Sequence, residues 1–311
     1  MHSWLKSAVC ALVLLPLAAC STNPATGRSQ FNALSTQDEI AMGAQSSSAV
    51  LEQFGGKFND AEVQGYTNEI GQKLAKTTEG ENPKLPWEFT MLDSDVINAF
   101  SLPGGKVFFS RGLAAQLKNE AQFAGVLGHE IGHVTARHIN DQIFNETLAS
   151  TGGQLASTLL ESKGGGLVGQ IAPTLIQVGQ KTILLQFSRP QELEADSLGM
   201  RYMFKAGYDP AALLGVMEVL EASMGTSRGM EFFSTHPYPD TRIAAIQKEL
   251  KSGAFSRLSG PPLVLNQAQY QQRMLNRLGG VRKSDASFGG LGDPVLWCAH
   301  CREHSEQHAA K

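Results

Sequence analysis

The sequence predicts an α+β fold that is mostly helical and carries one small, mostly antiparallel sheet. Residues 87–110 are the only stretch with convincing β-strand patterning, and a Pro-Gly-Gly turn at 103–105 divides it. Between residues 38 and 252, most of the other sequence repeats apolar side chains at helical spacing. A chain of 311 residues is long enough to bury such a core.

Charge narrows the class of partner. The net charge is -3, and no run of like charges marks a nucleic-acid or acidic-substrate surface. We therefore expect no nucleic-acid partner.

The first 19 residues have the layout of a secretory signal peptide, with an apolar stretch over 8–17 that is too short to span a bilayer. The stretch ends in Leu-Ala-Ala-Cys20, which resembles the lipobox of bacterial lipoproteins, where the cysteine receives the lipid. An ordinary signal peptide with an incidental Cys20 is the alternative. Ser21 follows Cys20, and by resemblance to the bacterial sorting rule this favours a lipid anchor in the outer membrane.

Residues 20–37 are polar and have the composition of a tether between the lipid and a domain over 38–252. Ser35 or Thr36 is the predicted cap of a first helix. The predicted elements up to the sheet are a helix at 60–76 and strands at 87–92, 96–102 and 106–110.

Helical periodicity resumes after the sheet, most clearly over residues 120–140, where one face is apolar. The Gly-rich segment at 152–170 is predicted to be a mobile lid or a pair of short helices. Residues 253–311 form a C-terminal extension that we expect to be partly flexible. Further predicted helices lie at 112–117, 183–205, 210–224, 240–250 and 267–278.

The 120–140 helix carries a candidate zinc site. His129 and His133 lie four residues apart and therefore project from one helix face, where two imidazoles can bind one Zn²⁺. Glu130 points past that metal, and in H-E-x-x-H enzymes this carboxylate takes a proton from the zinc-activated water. The pattern predicts a hydrolase that uses His129 and His133 as ligands and Glu130 as its base.

Two solvated histidines on a surface helix are the alternative interpretation. Gly128 and Gly132 disfavour it, because glycine costs stability inside a helix. Glycines at these positions indicate that a sheet or a substrate approaches the helix closely.

A catalytic zinc usually keeps three protein ligands and one open position. The metzincin motif H-E-x-x-H-x-x-G-x-x-H fails here, because Ala136 and Ile139 occupy its Gly and third His positions. His138 is one residue short of the ligand position, and we interpret it as a residue beside the site or on the surface.

A glutamate from another helix is the other solution, as in thermolysin-like gluzincins. Glu192 is the predicted third ligand, with Glu194 as the weaker candidate that would point toward solvent. Asp196 follows Glu192 by one turn on the same face, where it can accept a hydrogen bond from a ligand histidine. Without the histidine pair, Glu192 and Asp196 would be ordinary members of a solvated helix face.

The motifs His129-Glu-Ile-Gly-His133 and Glu192-Leu-Glu-Ala-Asp196 together resemble those of metallopeptidase family 48, over about residues 35–250. This family includes the CAAX prenyl endopeptidases, HtpX, the mitochondrial Oma-type protease and the bacterial lipoprotein proteases BepA and LoiP. The resemblance implies a gluzincin-type domain, one Zn²⁺ per chain and endopeptidase activity. The spanning helices of HtpX have no counterpart in the sequence, so an intramembrane chamber is not expected.

The resemblance also implies roles outside the two motifs. Asn98, Ala99 and Phe100 match a family strand that can pair with the substrate backbone. His236 is implied to lie near the metal, where it stabilises the oxyanion or closes the open position; a loop residue held by prolines is the alternative. Arg242 is implied to support the site or to pair with a carboxylate.

We therefore expect a lipid-anchored zinc endopeptidase at the periplasmic face of the outer membrane, acting on misfolded or damaged envelope proteins. One alternative is a lipoprotein chaperone or assembly factor with a gated zinc site. Another is a zinc hydrolase that acts on peptidoglycan crosslinks. Cys298 and Cys301 are interpreted as a disulfide loop, a metal clip or part of a tail without a role.

Overall fold

A computed structural model describes residues 20–31, 34–150, 186–223, 232, 235–237, 239–256 and 262–279. The predicted signal peptide over 1–19, the Gly-rich segment at 152–170, and the pair Cys298 and Cys301 lie outside the described residues.

The N-terminal part begins with a hairpin and two capped helices. Strands β1 (Cys20–Thr22) and β2 (Ser29–Phe31) pair in antiparallel register. Helices α1 (Thr36–Gln53) and α2 (Ala61–Ala75) follow. Ser35 caps α1, since its hydroxyl accepts a hydrogen bond from the backbone N–H of Asp38 at 3.2 Å, as predicted for a capping residue before this helix.

The sheet contains β3 (Glu88–Leu92), β4 (Ala99–Leu102) and β5 (Lys106–Ser110), in the order β3-β5-β4. The β4–β5 hairpin is antiparallel as predicted, whereas β3 pairs in parallel with β5. After β3 the chain forms β4 two strand positions away, and it then returns to form β5 between them. Strand β5 is therefore the central strand, and β4 is an edge strand.

Helices make up most of the remainder. The helix predicted over 120–140 is divided into two, because Arg137 adopts a left-handed backbone conformation with φ of 59°. Within the described residues after the sheet, the helices are α3 (Arg111–Ala114), α4 (Glu120–Thr135), α5 (His138–Ser150), α6 (Arg189–Ala206), α7 (Ala212–Ser223), α8 (Pro239–Lys251) and α9 (Gln267–Tyr270). Helix α9 continues as a π-helical turn over Gln271–Leu275. Among the residues that the structure describes, no helix is long and apolar enough to cross a bilayer.

Helix α4 is the centre of the fold. Phe123 on α4 is fully buried and packs against Phe109 of β5 and Tyr270 of α9, with ring centroids 4.3 and 5.9 Å apart. Tyr270 also donates a hydrogen bond to the carbonyl of Ala114 at 2.7 Å. Part of the expected C-terminal extension, residues 262–279, therefore belongs to the core.

The glycines of α4 face another helix. A Cβ atom at Gly132 would lie 2.8 Å from the carbonyl oxygen of Ala195, and one at Gly128 would lie 3.1 Å from that of Gly199. Ala195 and Gly199 are both on α6. The close neighbour that the glycines predicted is therefore the α6 backbone rather than a sheet or a substrate.

The β1–β2 hairpin packs on the C-terminal end of α4. Asn23 Nδ2 donates to the Thr135 carbonyl at 2.9 Å, and Gln30 Nε2 donates to the Ala136 carbonyl at 2.7 Å. Carbonyls at a helix end lack partners within the helix, so these amides stabilise the end of α4. The segment expected to be a tether over 20–37 thus contains a hairpin that is docked on the domain.

We predict that Gly132→Ala lowers the free energy of unfolding by about 1–2 kcal/mol, because overpacking against a rigid helix backbone outweighs the gain in helix propensity. Urea denaturation in the presence of chelator measures this effect. The matched control is Gly65→Ala in α2, where a Cβ atom meets nothing within 4 Å. We expect the control to be stabilised by about 0.5–1 kcal/mol, and equal stabilisation of both variants would contradict close packing of α4 on α6.

Candidate metal centre

His129 and His133 present their ring nitrogens to the same point. Both side chains lie on α4 and are buried, and their Nε2 atoms are 3.0 Å apart. The Nδ1 atom of each ring contacts a different partner, Asp196 at 2.8 Å for His129 and His138 at 2.9 Å for His133. Both Nε2 atoms are therefore the ones available to a shared metal.

Glu192 completes a three-residue set from the start of α6. Its Oε2 lies 3.5 Å from His129 Nε2, and its Oε1 lies 3.4 Å from His133 Nε2. Atoms that bind a tetrahedral zinc at 2.0–2.1 Å are about 3.3–3.4 Å from one another. Two imidazoles and one carboxylate at these separations fit a zinc ion.

His236 lies against the same set. Its Nδ1 is 3.0 Å from Glu192 Oε1 and 3.3 Å from His129 Nε2. The potential ligand atoms of His129, His133, Glu192 and His236 all lie within 4.8 Å of one another, and the four residues are buried. The structure therefore brings His236 beside the predicted ligands, as the family resemblance implied.

Two aromatic rings stack on histidines of this set, one on His133 and one on His236. Phe187 stacks on His133 with ring centroids 3.8 Å apart, and Phe232 stacks on His236 at 4.8 Å. The backbone N–H of Phe187 donates to the Thr235 carbonyl at 3.0 Å, so the segment before α6 is joined to the segment that carries His236.

Asp196 and Arg242 form a buried charged network behind the ligands. Arg242 donates to both carboxylate oxygens of Asp196 at 2.7 Å, and its Nη1 lies 2.8 Å from Glu192 Oε2. Asp196 Oδ1 in turn contacts His129 Nδ1 at 2.8 Å. Asp196 therefore lies where the sequence predicted it, and Arg242 pairs with two carboxylates.

The network sets the charges of the site. Burial raises the pKa of Glu192, but the positive charges of His236 and Arg242 outweigh burial and hold it well below its usual range. Burial likewise raises the pKa of Asp196, and Arg242 and His129 bring it below the ordinary value. Both groups are carboxylates at neutral pH, as a zinc ligand and an acceptor for a ligand histidine require.

The pKa values of His133 and His236 are shifted in different directions. Burial lowers the pKa of His133 well below its usual range, so its ring is neutral, which is the form that binds metal. Burial also lowers the pKa of His236, but the charges of Glu192 and Glu130 outweigh it and raise the pKa above the ordinary value. The pKa shifts of His133 and His236 are therefore opposite in direction.

Glu130 lies on α4 beside His236 and the edge strand β4. Its carboxylate is fully buried, and Oε1 has no hydrogen-bond partner and lies 3.6 Å from His236 Nε2, which also has none. Ser101 of β4 donates to Glu130 Oε2 at 3.0 Å. Sequence reasoning missed Ser101, although it follows the Asn-Ala-Phe segment and shares a strand face with Ala99.

The Asn98-Ala-Phe100 segment has mixed roles. Ala99 and Phe100 belong to the edge strand β4, and the Asn98 carbonyl accepts a hydrogen bond from the N–H of Ser110 at 3.0 Å. Phe100 packs into a small apolar cluster with Phe54 and Phe108, at ring distances of 5.0 and 5.3 Å. Its side chain is therefore part of the core, and all four residues of β4 are buried.

His138 and Glu194 are more closely linked to the site than the sequence indicated. His138 is fully buried, and its Nε2 lies 3.0 Å from Glu194 Oε2. Glu194 also accepts two hydrogen bonds from Arg28 at 2.9 and 2.8 Å. Glu194 is partly exposed and does not reach the ligand cluster, but the sequence did not reveal its partners, His138 on α5 and Arg28 of the β1–β2 hairpin.

The fold and the site together define a gluzincin-type metallopeptidase domain, with two histidines from one helix and a glutamate from another. Comparison with known families is consistent with this class: the sequence profile of Peptidase family M48 matches residues 61–250. The chain belongs to this family of zinc metallopeptidases.

Curated relatives agree with the assignment. The chain is 32% identical over 234 residues to the beta-barrel assembly-enhancing protease of Escherichia coli K12, covering 73% of this chain and 46% of the relative. It is 31% identical over 237 residues to the mitochondrial metalloendopeptidase OMA1 of Schizosaccharomyces pombe, covering 75% and 67%. This chain thus spans about half the length of the beta-barrel assembly-enhancing proteases that it matches.

We predict that Arg242→Met lowers the free energy of unfolding of the metal-free protein by about 3–5 kcal/mol, because two buried carboxylates lose their cation. The pKa of folded Asp196 is lowered, so its contribution is present above the unfolded pKa of about 3.9 and is lost as pH falls through the folded value. The deficit of the variant is therefore largest at neutral pH and narrows in acid.

Urea denaturation at pH 7 and at acid pH measures both effects. Arg277→Met is the control, since Arg277 pairs with Asp60 on the surface and its loss costs under about 1 kcal/mol. Should Arg242→Met fail to fold, Arg242→Lys keeps the charge without the two-pronged contact and reports a smaller loss. A deficit that does not depend on pH would contradict the electrostatic role.

Proposed function

We propose that this chain is a zinc-dependent endopeptidase that hydrolyses peptide bonds in misfolded or damaged proteins of the bacterial envelope. The observation that carries this proposal is the fully buried carboxylate of Glu130, whose Oε1 has no hydrogen-bond partner and lies beside the ligand cluster. A structural zinc site has no use for such a base. His129, His133 and Glu192 would hold the zinc ion.

In this proposal, the zinc ion and the residues around the ligand cluster have separate roles in peptide hydrolysis. When bound, zinc supplies a Lewis acid that polarises the scissile carbonyl and acidifies a water molecule. Glu130 Oε1 would accept a proton from the attacking water and then transfer it to the leaving amine. Ser101 donates to the other oxygen of Glu130, which leaves Oε1 for proton transfer. His236 donates from Nε2 to the developing oxyanion.

The edge strand β4 supplies the substrate site in this proposal. The Asn98 carbonyl bonds to Ser110 on β5, so by antiparallel alternation the backbone groups of Ala99 and Ser101 point away from β5. An extended polypeptide can pair with these groups, and its affinity then comes mainly from the main chain. Such binding tolerates many sequences, which suits unfolded segments of misfolded proteins.

The cellular place of the enzyme follows from the N-terminal sequence. We place the protein at the periplasmic face of the outer membrane, held by a lipid on Cys20 after removal of the signal peptide. The bacterial relatives named beta-barrel assembly-enhancing protease support an envelope role.

We predict that Glu130→Gln lowers cleavage of casein by about 10²- to 10⁴-fold while zinc content is retained, because the base is lost and the ligands are not. Chelator is expected to abolish wild-type cleavage, and added zinc to restore it. Glu218→Gln, an exposed position on α7, is the matched control and should behave as wild type. Unchanged cleavage by Glu130→Gln would rule out the peptidase assignment.

A gated site is the second candidate, favoured by the 3.0 Å contact between His236 Nδ1 and Glu192 Oε1. If His236 serves the oxyanion, His236→Ala lowers casein cleavage by about 10²- to 10³-fold. If His236 chiefly closes the site, the same substitution raises cleavage. The direction of the change in initial rate distinguishes a site that uses His236 in catalysis from a site that His236 holds closed.

The substrate class is tested in cells. The Glu130→Gln protein should retain substrates that it cannot cleave, and mass spectrometry of co-purified proteins identifies them. Recovery of misfolded envelope proteins supports quality control, whereas recovery of nothing but abundant lipoproteins counts against it. Incubation with purified sacculi tests the peptidoglycan alternative, and released peptides would favour that alternative.

A further inference from the structure

We propose that His138 is a positioning residue that fixes the orientation and tautomer of His133 and is itself held by Glu194. This inference rests on the proposed zinc site, in which His133 is a ligand. His138 would not touch the metal, but it would determine which nitrogen of His133 faces it.

A strained turn brings the two histidines together. Residues five apart on a continuous helix lie about 140° apart around the axis, so His133 and His138 could not face each other on one helix. Arg137 breaks the helix with φ of 59°, a conformation that is unfavourable for a residue with a Cβ atom. Arg137 is held there by Glu39 at 3.1 Å and by the Leu34 carbonyl at 2.6 Å.

The contacts allow one consistent arrangement of protons. His133 needs an unprotonated Nε2 to bind metal, so its proton is on Nδ1, which donates to His138 Nδ1 across 2.9 Å. His138 must then carry its own proton on Nε2, which donates to Glu194 Oε2 across 3.0 Å. The chain Glu194–His138–His133 therefore presents the Nε2 lone pair of His133 to the cluster.

The outer end of the chain is held by the hairpin. Arg28, between β1 and β2, donates from Nε and Nη2 to the two carboxylate oxygens of Glu194. Gln191 Nε2 also donates to the His138 backbone carbonyl, at 3.4 Å. Each ligand histidine thus has its own contact at Nδ1, Asp196 for His129 and His138 for His133.

The test is zinc affinity of the full chain, measured by competition with a fluorescent chelator. His138→Leu removes the acceptor for His133 and is expected to weaken zinc binding about 10- to 100-fold. His138→Asn places a side-chain oxygen near the position of Nδ1 and should recover most of that loss. Histidine ¹⁵N spectra of the zinc-loaded wild type should show protonation at Nδ1 of His133 and at Nε2 of His138.

Controls separate this role from stability. Tyr270 donates a buried hydrogen bond to the Ala114 carbonyl, away from the ligand cluster, so Tyr270→Phe should destabilise the fold and retain wild-type zinc affinity. Wild-type affinity in His138→Leu, or equal losses in the Leu and Asn variants, would overturn the inference. Failure of the wild type to bind zinc, or unchanged binding in His133→Ala, would instead overturn the proposed site.

Discussion

The close approach of α4 and α6 is the constraint on which the rest of the structure depends. Gly132 and Gly128 allow the α6 backbone to lie where side chains would otherwise keep the helices apart. At this distance, Glu192 reaches both ligand histidines and Asp196 reaches His129. A wider spacing between these helices would separate the carboxylates from the imidazoles by more than a zinc ion can bridge.

The close packing of α4 and α6 also buries two carboxylates, and one guanidinium group contacts both of them. Glu192, Asp196 and Arg242 lie in the interior together, so removing Arg242 leaves two buried carboxylates without their shared cation. The same arrangement keeps the carboxylates ionised without water. The network therefore holds Glu192 directly and His129 through Asp196.

Helix α4 has a different function on each side. Toward α6 it presents His129 and His133, and toward the sheet it presents Glu130, whose carboxylate accepts a hydrogen bond from Ser101 of the edge strand. A polypeptide bound along β4 would pass beside the base and the ligand cluster at once. At its C-terminal end, α4 is joined to the β1–β2 hairpin by Asn23 and Gln30, which links the region next to Cys20 to the helix that carries the site.

The sequence by itself determined the features that depend on short spacing. Four-residue separations placed His129 with His133 and Glu192 with Asp196, and the Pro-Gly-Gly turn defined the hairpin, because helix and turn geometry are local properties. Family resemblance added His236 and Arg242, which local spacing does not reveal.

Only the tertiary structure decided which distant groups meet. It made β5 the central strand, gave Glu130 a partner in Ser101, and turned His138 inward through the left-handed Arg137. The tertiary structure also packs the hairpin over 20–31 and the segment over 262–279 against the rest of the domain. These features depend on hydrogen bonds between buried groups that are far apart in the sequence. The periodicity of the sequence does not predict which of these groups pair.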